Sequence, residues 1–403
     1  MNDNLKTLPR PISLSGSAAI ETDVVIVGGG LSGSLAAVML GRAGVKTTLI
    51  DVHRTRPAEF RVEKIAGDQV AHMQRLGLLD AVSRRAVRFA AVDNIRAGRV
   101  IDRSRSPHFG ISYQHLTEIV RRDVPDTVNT VVGRVVELRT GQDRQHVALA
   151  DGQRIKARLL VLATGMGDSL RSQLGIKRRA LVEKHSVTFG FDIQPGFTAE
   201  PKALTFYGTR GSGIDYLTLF PVPGAFRANL FSFLPFNDPW VRQFRDDPRA
   251  TLVAVLPELE RFLGDFKIVA PVQTWIMDLA VVENHRQAGV VVIGDAFQTS
   301  CPAAGTGVSR LLVDVERLCS VHIPDWLGSA DMDAEKISRF YDDPKKRASD
   351  VSALHAAEFR RSFTLDPTLK WAIRRQGQFL RRRLLEAGKR GAGAFTGKAK
   401  RAR

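Results

Sequence analysis

The sequence predicts an α/β fold in three parts: a parallel-sheet unit assembled from separated segments, an inserted strand-rich unit, and a helical C-terminal extension. Three observations predict it. A strand-sized apolar run at 24–27 ends in a glycine loop and passes directly into a helical pattern. A second strand-loop-helix passage lies about 265 residues later, at 290–320. Between the two, much of the chain alternates with the period of strands and carries most of the phenylalanines and prolines.

In chain order, the first strand is expected at 23–27 and the first helix at 31–43, where Gly44 breaks it. A second strand at 47–50 ends on Asp51 and completes a βαβ start. Weaker helices follow at 67–76 and 111–122, the latter with Leu116, Ile119 and Val120 on one side. Residues 131–162 alternate around an Asp151-Gly152 turn and end in the apolar run 159–163 before Thr164-Gly165. Strands are expected at 186–192, 203–207, 216–220 and 227–233, interrupted by helix at 240–264. The expected organisation is a flexible lead at 1–21, a discontinuous first unit at 22–90, 110–180 and 278–325, and an inserted unit at 91–109 and 181–277. A helical extension at 326–369 and a basic tail at 370–403 complete it.

The chemistry starts at the first loop. Gly28, Gly30 and Gly33 form GxGxxG between a strand and a helix. The first glycine permits the tight turn, the second admits a pyrophosphate to the backbone, and the third lets helix and sheet touch. Leu31 and Ser32 then stand in the first helical turn, where free N–H groups and the helix dipole favour an anion. Asp51, 18 residues after Gly33, is placed to accept from ribose hydroxyls. This is a Rossmann-like dinucleotide signature that does not say which dinucleotide.

The second loop is not another GxGxxG. Asp295 ends a strand, Pro302 follows seven residues on, Gly305 three further, and Gly307 two beyond that. Asp314 and Leu318 extend the pattern into the next helix. This pairing resembles the flavoprotein monooxygenases of the para-hydroxybenzoate hydroxylase type. The resemblance covers roughly 22–325 and implies an FAD-binding domain with an inserted substrate domain. It assigns Asp295 to the flavin ribitol, and the loop Pro302, Gly305, Thr306, Gly307 and Val308 to the isoalloxazine. It also places Arg61 at the pyrophosphate or ribose and matches Gly165 to the family's central segment. The implied activity is an FAD-dependent hydroxylation using NAD(P)H and O2, through a flavin C4a-hydroperoxide, of an aromatic or hydrophobic substrate. No catalytic side chain is assigned, because this chemistry belongs to the cofactor.

The chain departs from that pattern in several places. Thr164-Gly165 and Asp168 stand where the family has Asp-Gly and Ser, and Tyr113 stands where an arginine precedes Leu116. Ser309 and Gln298 replace a common asparagine and histidine. These changes describe a divergent subgroup, altered in the central motif that the resemblance links to FAD and NADPH binding. The wider superfamily leaves an alternative open. Tyr216, Phe220 and Pro221 match part of a motif in geranylgeranyl-reductase-like enzymes, which reduce lipid or isoprenoid double bonds, although Thr218 replaces its tryptophan. The halogenase WxWxIP segment is absent. Arg210 and Tyr216 are candidate substrate contacts in the inserted unit.

Composition narrows the setting. Cys301 and Cys319 offer no disulfide framework, and the nine histidines show no paired metal-ligand spacing, so no metal is expected. No run approaches the roughly 18 apolar residues of a spanning helix. These features predict a cytoplasmic protein. Of the net charge of +17, +11 lies in the tail 370–403, with twelve Lys or Arg against Glu386 alone. Within it, Ile373, Leu380 and Leu384 recur on one helical side among arginines. Such a tail suits an anionic membrane surface at the inner face of the membrane, or simply solvent. The body shows no basic-aromatic interleaving, so nucleic acid is not expected.

Overall fold

The computed structural model describes residues 19–61, 64–196, 202–269 and 271–401, with side chains up to 389. The greater part of the expected lead therefore lies outside the described residues, and the first strand begins at Ile20. The strands divide between two sheets.

In the first sheet, Ile20–Val27 runs parallel to Thr47–Asp51 on one side and to Arg154–Leu162 on the other. Asn129–Val132 continues the parallel order beyond Thr47–Asp51, and Val290–Val292 lies parallel to the end of Arg154–Leu162. Gln145–Leu149 and Val135–Arg139 add an antiparallel edge. The central strands are apolar without alternation, as a parallel sheet covered on both faces requires. Val24, Val25, Ile26, Leu159, Leu160, Val290 and Val291 are all buried. Because these strands are parallel, their C-terminal ends gather Gly28, Asp51, Ala163 and Gly294 at one edge. That edge is where open α/β sheets hold ligands.

The second sheet is larger and mostly antiparallel. Lys64–Ala66, Arg99–Gly110 and Val87–Arg96 follow one another from one edge. Ala203–Tyr207 joins Val87–Arg96 in parallel, then Ile214–Val222, Ala225–Ser232 and Lys177–Gln194 follow antiparallel. Gln273–Glu283 also pairs with the long strand Lys177–Gln194. The sheet's two faces separate by period two. Phe189, Phe191 and Phe206 pack with Phe244 and Leu252 beneath short helices at Pro239–Asp246 and Pro248–Val255. Asp238 and Asp247 cap these helices, each ahead of a proline in the first turn, which explains the break between them.

The sequence reading did not anticipate the hairpin Val87–Arg96 to Arg99–Gly110, because its charged residues obscure the alternation. After Ala334–Tyr341, helix Pro344–Leu365 packs behind Gly307–Arg317, and helix Leu369–Arg401 lies against Arg99–Gly110. No described helix is long and apolar enough to cross a membrane.

Candidate functional site: a cavity between two sheets

A cavity of about 1080 Å3 runs from the strand ends of the first sheet to the open face of the second. At one end, Gly28 takes a φ of +108°, and a Cβ there would sit 2.4 Å from the Ala163 carbonyl oxygen. A Cβ on Gly33 would sit 1.9 Å from the Gly28 carbonyl oxygen, so the helix can lie on the turn only without one. Helix Leu31–Arg42 has no side-chain cap, and its first turn lines the cavity through Gly30, Leu31 and Ser32. A helix N-terminus of this kind favours an anion; here the Leu31 N–H already donates to the Tyr113 hydroxyl at 3.3 Å. Asp51 is buried at its strand end, where its carboxylate accepts from the N–H groups of Gly29 and, at 2.7 Å, of His53.

The second loop faces the first across the cavity. After Val290–Val292 a single 3-10 turn, Gly294–Ala296, presents Asp295. Another 3-10 turn, Pro302–Ala304, ends on Gly305 at a φ of +67°, and helix Gly307–Arg317 begins. Arg61 joins the two halves. Its Nη1 donates to Asp295 Oδ2 at 2.8 Å, its Nε donates to Glu59 Oε2 at 2.8 Å, and its guanidinium lies over Tyr113 and Trp275. These carboxylates more than offset the cost of burial and hold the Arg61 guanidinium above its ordinary pKa.

Behind this loop sits a buried ionic quartet. Lys346 Nζ donates to Asp314 Oδ1 at 3.0 Å and Asp350 Oδ2 at 2.9 Å. Arg310 Nη1 donates to Asp314 Oδ2 at 3.2 Å and Asp350 Oδ1 at 3.4 Å. Arg310 also donates to the Gln298 carbonyl at 2.5 Å, while Asp314 Oδ2 accepts from the Gly294 N–H at 3.1 Å. The Gly-Asp loop is thus held at both ends by charges that water does not reach. Burial, and the neighbouring Asp314, push the Asp350 carboxyl above its usual range.

The far wall is the open face of the second sheet. Thr188, Tyr216, Thr218, Phe220, Asn229, Phe231, Trp275 and Met277 line it, with Lys64, Ser104, Ser106 and His108 on its outer strands. Tyr216 is fixed from both sides. Its hydroxyl donates to the Ala303 carbonyl at 2.7 Å, and Arg360 stacks on its ring while paired with buried Asp215.

Of the residues singled out from sequence, Gly28, Gly30, Leu31, Ser32, Asp51, Arg61, Gly165, Tyr216, Asp295, Pro302, Gly305, Gly307 and Val308 line one cavity. Gly33 and Thr306 stand behind its wall. Arg210 lies elsewhere, in the turn after Tyr207, where it donates to the Pro367 carbonyl at 3.3 Å and does not line the cavity. Its neighbours Gly208, Gly211 and Gly213 fold that segment back on itself instead of into the site. Sequence reasoning singled out Phe220 only within the partial reductase motif and missed Lys64, His108 and Trp275. Their only signal was alternate spacing on strands whose partners were unknown. Cys301, beside the second loop, is a buried free cysteine.

The two loops fit FAD. A pyrophosphate cradle without Cβ atoms, a helix N-terminus, a carboxylate at each of two strand ends and a backbone loop at a second helix N-terminus open on one cavity. Comparison with known proteins agrees. A family model described as "FAD binding domain" matches residues 21–321. Among curated proteins, the chain is 24% identical over 341 residues to a 3-amino-4-hydroxybenzoate 2-monooxygenase of Streptomyces platensis, covering 79% of this chain and 83% of the relative. It is 25% identical over 325 residues to 3-demethoxyubiquinol 3-hydroxylase of Escherichia coli, covering 74% and 79%. Among solved structures, p-nitrophenol 4-monooxygenase of Pseudomonas putida superposes with a TM-score of 0.70 at 17% identity, over 90% of this chain and 94% of that one. A flavin-dependent brominase superposes with a TM-score of 0.68 at 17% identity, over 88% and 92%, a likeness of fold. With three quarters of its length inside the family match, the chain belongs to the FAD-binding-domain family, as a flavin-dependent oxidoreductase of the para-hydroxybenzoate hydroxylase type.

Proposed function

We propose that the protein is an FAD-dependent monooxygenase that hydroxylates an aromatic or otherwise hydrophobic organic substrate. NAD(P)H supplies two electrons, one oxygen atom of O2 enters the substrate, and the other leaves as water. The observation that carries this reading is one continuous cavity that joins the dinucleotide loops to a wall of aromatic and small polar side chains. The flavin supplies the electron transfer and oxygen chemistry; the chain's residues bind, orient and exclude water.

In this reading the N–H groups at Gly30 to Ser32 hold the pyrophosphate, with Arg61 beside them. Asp51 takes the ribose and Asp295 the ribitol. The backbone from Pro302 to Val308 would hold the isoalloxazine, with Gly165 of the central segment lining the same cavity. Phe220, Phe231 and Trp275 enclose the substrate on the opposite side, where low dielectric strengthens every polar contact. Relatives named for oxygenating 3-amino-4-hydroxybenzoate and 3-demethoxyubiquinol support the substrate class.

The test is isotopic. The protein reconstituted with FAD is supplied with NADPH, a candidate aromatic substrate and labelled O2; label in the product is the expected result. Turnover that continues without oxygen would instead favour the reductase reading, to which Tyr216 at the cavity wall lends its one structural argument. A protein that holds no FAD would overturn both.

A membrane-surface role for the tail has a specific observation behind it. Helix Leu369–Arg401 docks one side on the second sheet through Phe379, Arg382 and Glu386, and on helix Pro344–Leu365 through Arg375. Its opposite side exposes Leu369, Ile373, Leu380 and Leu384 at 74%, 63%, 56% and 63%. Exposed Lys370, Arg374, Arg381 and Arg383 flank that stripe. A helix of this kind lies on an anionic bilayer, each basic residue contributing about 1 kcal/mol. This arrangement suits a cytoplasmic enzyme resting on the inner face of the membrane, where lipid-like substrates are found. Because the inner side is structural, deleting the tail is a poor test. Leu380→Asp with Leu384→Asp, both on the exposed side, should abolish flotation with phosphatidylglycerol vesicles; unchanged flotation refutes the role.

A further inference from the structure

The face of the second sheet carries a positive charge that no described residue neutralises. Lys64 and His108 belong to adjacent antiparallel strands in which Ala66 lies opposite His108 and Lys64 opposite Gly110. Directly opposed residues share a face, so Lys64 and His108 are diagonal neighbours on it. Both line the cavity, as do Ser104 and Ser106 on the strand of His108.

Lys64 differs from the two partly buried arginines of the cavity, Arg61 and Arg56, and from Arg134, whose side chain is exposed to water. Arg61 is held by Asp295 and Glu59, and Arg56 by Glu59 and Asp51. Among the described residues, no carboxylate and no hydrogen-bond acceptor meets the Lys64 amine. Its contact is the Phe220 ring, 5.9 Å from Nζ. A half-buried ammonium on an aromatic wall is costly without a counter-charge. His108 is incomplete in a complementary way. Its Nε2 shares a hydrogen bond with Ser106 Oγ at 3.1 Å, while its Nδ1 is buried and has no partner. Burial and the adjacent Lys64 lower its pKa to about 4, so the ring is neutral at pH 7.

We propose that Lys64 is the counter-ion for an anionic oxygen of the substrate, a carboxylate or a phenolate, with His108 as the neutral hydrogen-bonding partner beside it. The inference rests on the monooxygenase reading and names its substrate class: an aromatic anion whose ring lies along Phe220, Phe231 and Trp275. Lys64 supplies the charge, which strengthens as the closed cavity excludes water. The unsatisfied His108 nitrogen gives a second, directional contact to the same group or its neighbour. Burial lowers the Lys64 pKa in the free protein, and a bound anion reverses that by favouring the charged amine.

Equilibrium binding tests it without turnover. The full chain, reconstituted with FAD, is titrated calorimetrically with benzoate and 1-naphthoate, and with benzamide and 1-naphthamide. A third arm uses 4-nitrophenol below and above its ionisation, which separates a phenolate preference from a carboxylate preference. The expected result is at least a tenfold preference for an acid over its amide, or for phenolate over phenol, weakening with added salt. Lys64→Met and Lys64→Gln should erase that preference, and Lys64→Arg should keep part of it. FAD stoichiometry and melting temperature of each variant establish that it is folded and loaded. No anion preference in the wild-type protein, or a preference that survives both neutral variants, overturns the proposal. So does loss of FAD in those variants, because Lys64 would then serve the cofactor. Failure of oxygen incorporation would refute the monooxygenase reading and leave these binding results standing.

Discussion

Lys346→Met tests the idea that a buried ionic quartet fixes the Gly294-Asp295 loop. Lys346 is fully buried, and its amine lies 3.0 Å from Asp314 and 2.9 Å from Asp350. The wild-type quartet has two cations and two carboxylates. The variant leaves Arg310 alone with both acids, a net charge of −1 at a site nearly closed to water. Each lost contact is worth about 5 kcal/mol of gross Coulomb energy at an effective dielectric near 20. Repacking and proton uptake return part of it, so the expected net loss is about 3–5 kcal/mol, the range for removing one partner of a buried pair. Asp350, whose carboxyl is already raised above 3.8, will take up a proton in the folded variant. A carboxyl whose folded pKa is raised favours the folded state at low pH and loses that stability as pH climbs from about 3.8 toward the folded value. The deficit should therefore be larger at pH 7 than at pH 5. Asp350→Asn added to Lys346→Met leaves one cation facing one acid and should recover at least half of the loss. Urea denaturation followed by circular dichroism measures these differences, and FAD titration reports on the loop, since Asp314 also accepts from Gly294 N–H. A loss under about 1 kcal/mol, or a double variant worse than the single one, would refute the reasoning.

Other expectations follow from the same geometry. Gly33→Ala drives a Cβ into the Gly28 carbonyl, so FAD affinity should drop by at least tenfold in a fluorescence titration, with a stability loss of about 1–3 kcal/mol. Tyr216→Phe leaves the Ala303 carbonyl without its 2.7 Å donor and should cost about 1–2 kcal/mol in chemical denaturation. Arg210→Ala, on the outer hairpin, should change FAD binding by less than twofold. Burial holds His108, His185 and His285 each near a pKa of about 4 in the folded protein. The unfolded chain takes up these protons near pH 6.5 and the folded chain near 4, so melting temperature should fall as pH drops through that interval. A melting temperature flat across it would contradict the burial of all three.

The first loop was legible because its constraints are local. Gly33 is required by the nearby Gly28 carbonyl and Asp51 by the strand that ends on it; Gly28 owes its place to a left-handed turn and also to the distant Ala163 carbonyl. The second loop was legible only as a pattern shared with a family, since nothing in residues 294–307 alone says that Arg61, some 234 residues away, donates to Asp295. Wall residues such as Phe220 and Trp275 were hidden for a further reason. Alternation marks two faces of a strand but does not say which faces a cavity; that depends on the helices 239–263 covering Phe189, Phe191 and Phe206 on the other side. The quartet was invisible too. Asp314 was noted as part of a motif, but Lys346 and Asp350 stood in a segment read only as helical, one turn apart and without apolar marking.

That distribution bears on how the site works. The flavin loops hang on backbone geometry and on charges sealed behind them, so the cofactor end is rigid by construction. The substrate wall is built from side chains on an open sheet face, which can change identity without altering the strand pairing. Arg61 spans the two, bonded to Asp295 on one side and stacked on Trp275 on the other. Replacing Trp275 by Leu should therefore loosen Arg61 as well as open the wall, which separates it from a residue that only touches substrate. The sign of this coupling is measurable: Trp275→Leu should weaken FAD binding severalfold although Trp275 lies on the second sheet, while Phe220→Leu, further from Arg61, should leave FAD affinity unchanged and alter ligand affinity alone. Equal effects of the two substitutions on FAD would show that Arg61 does not link the halves.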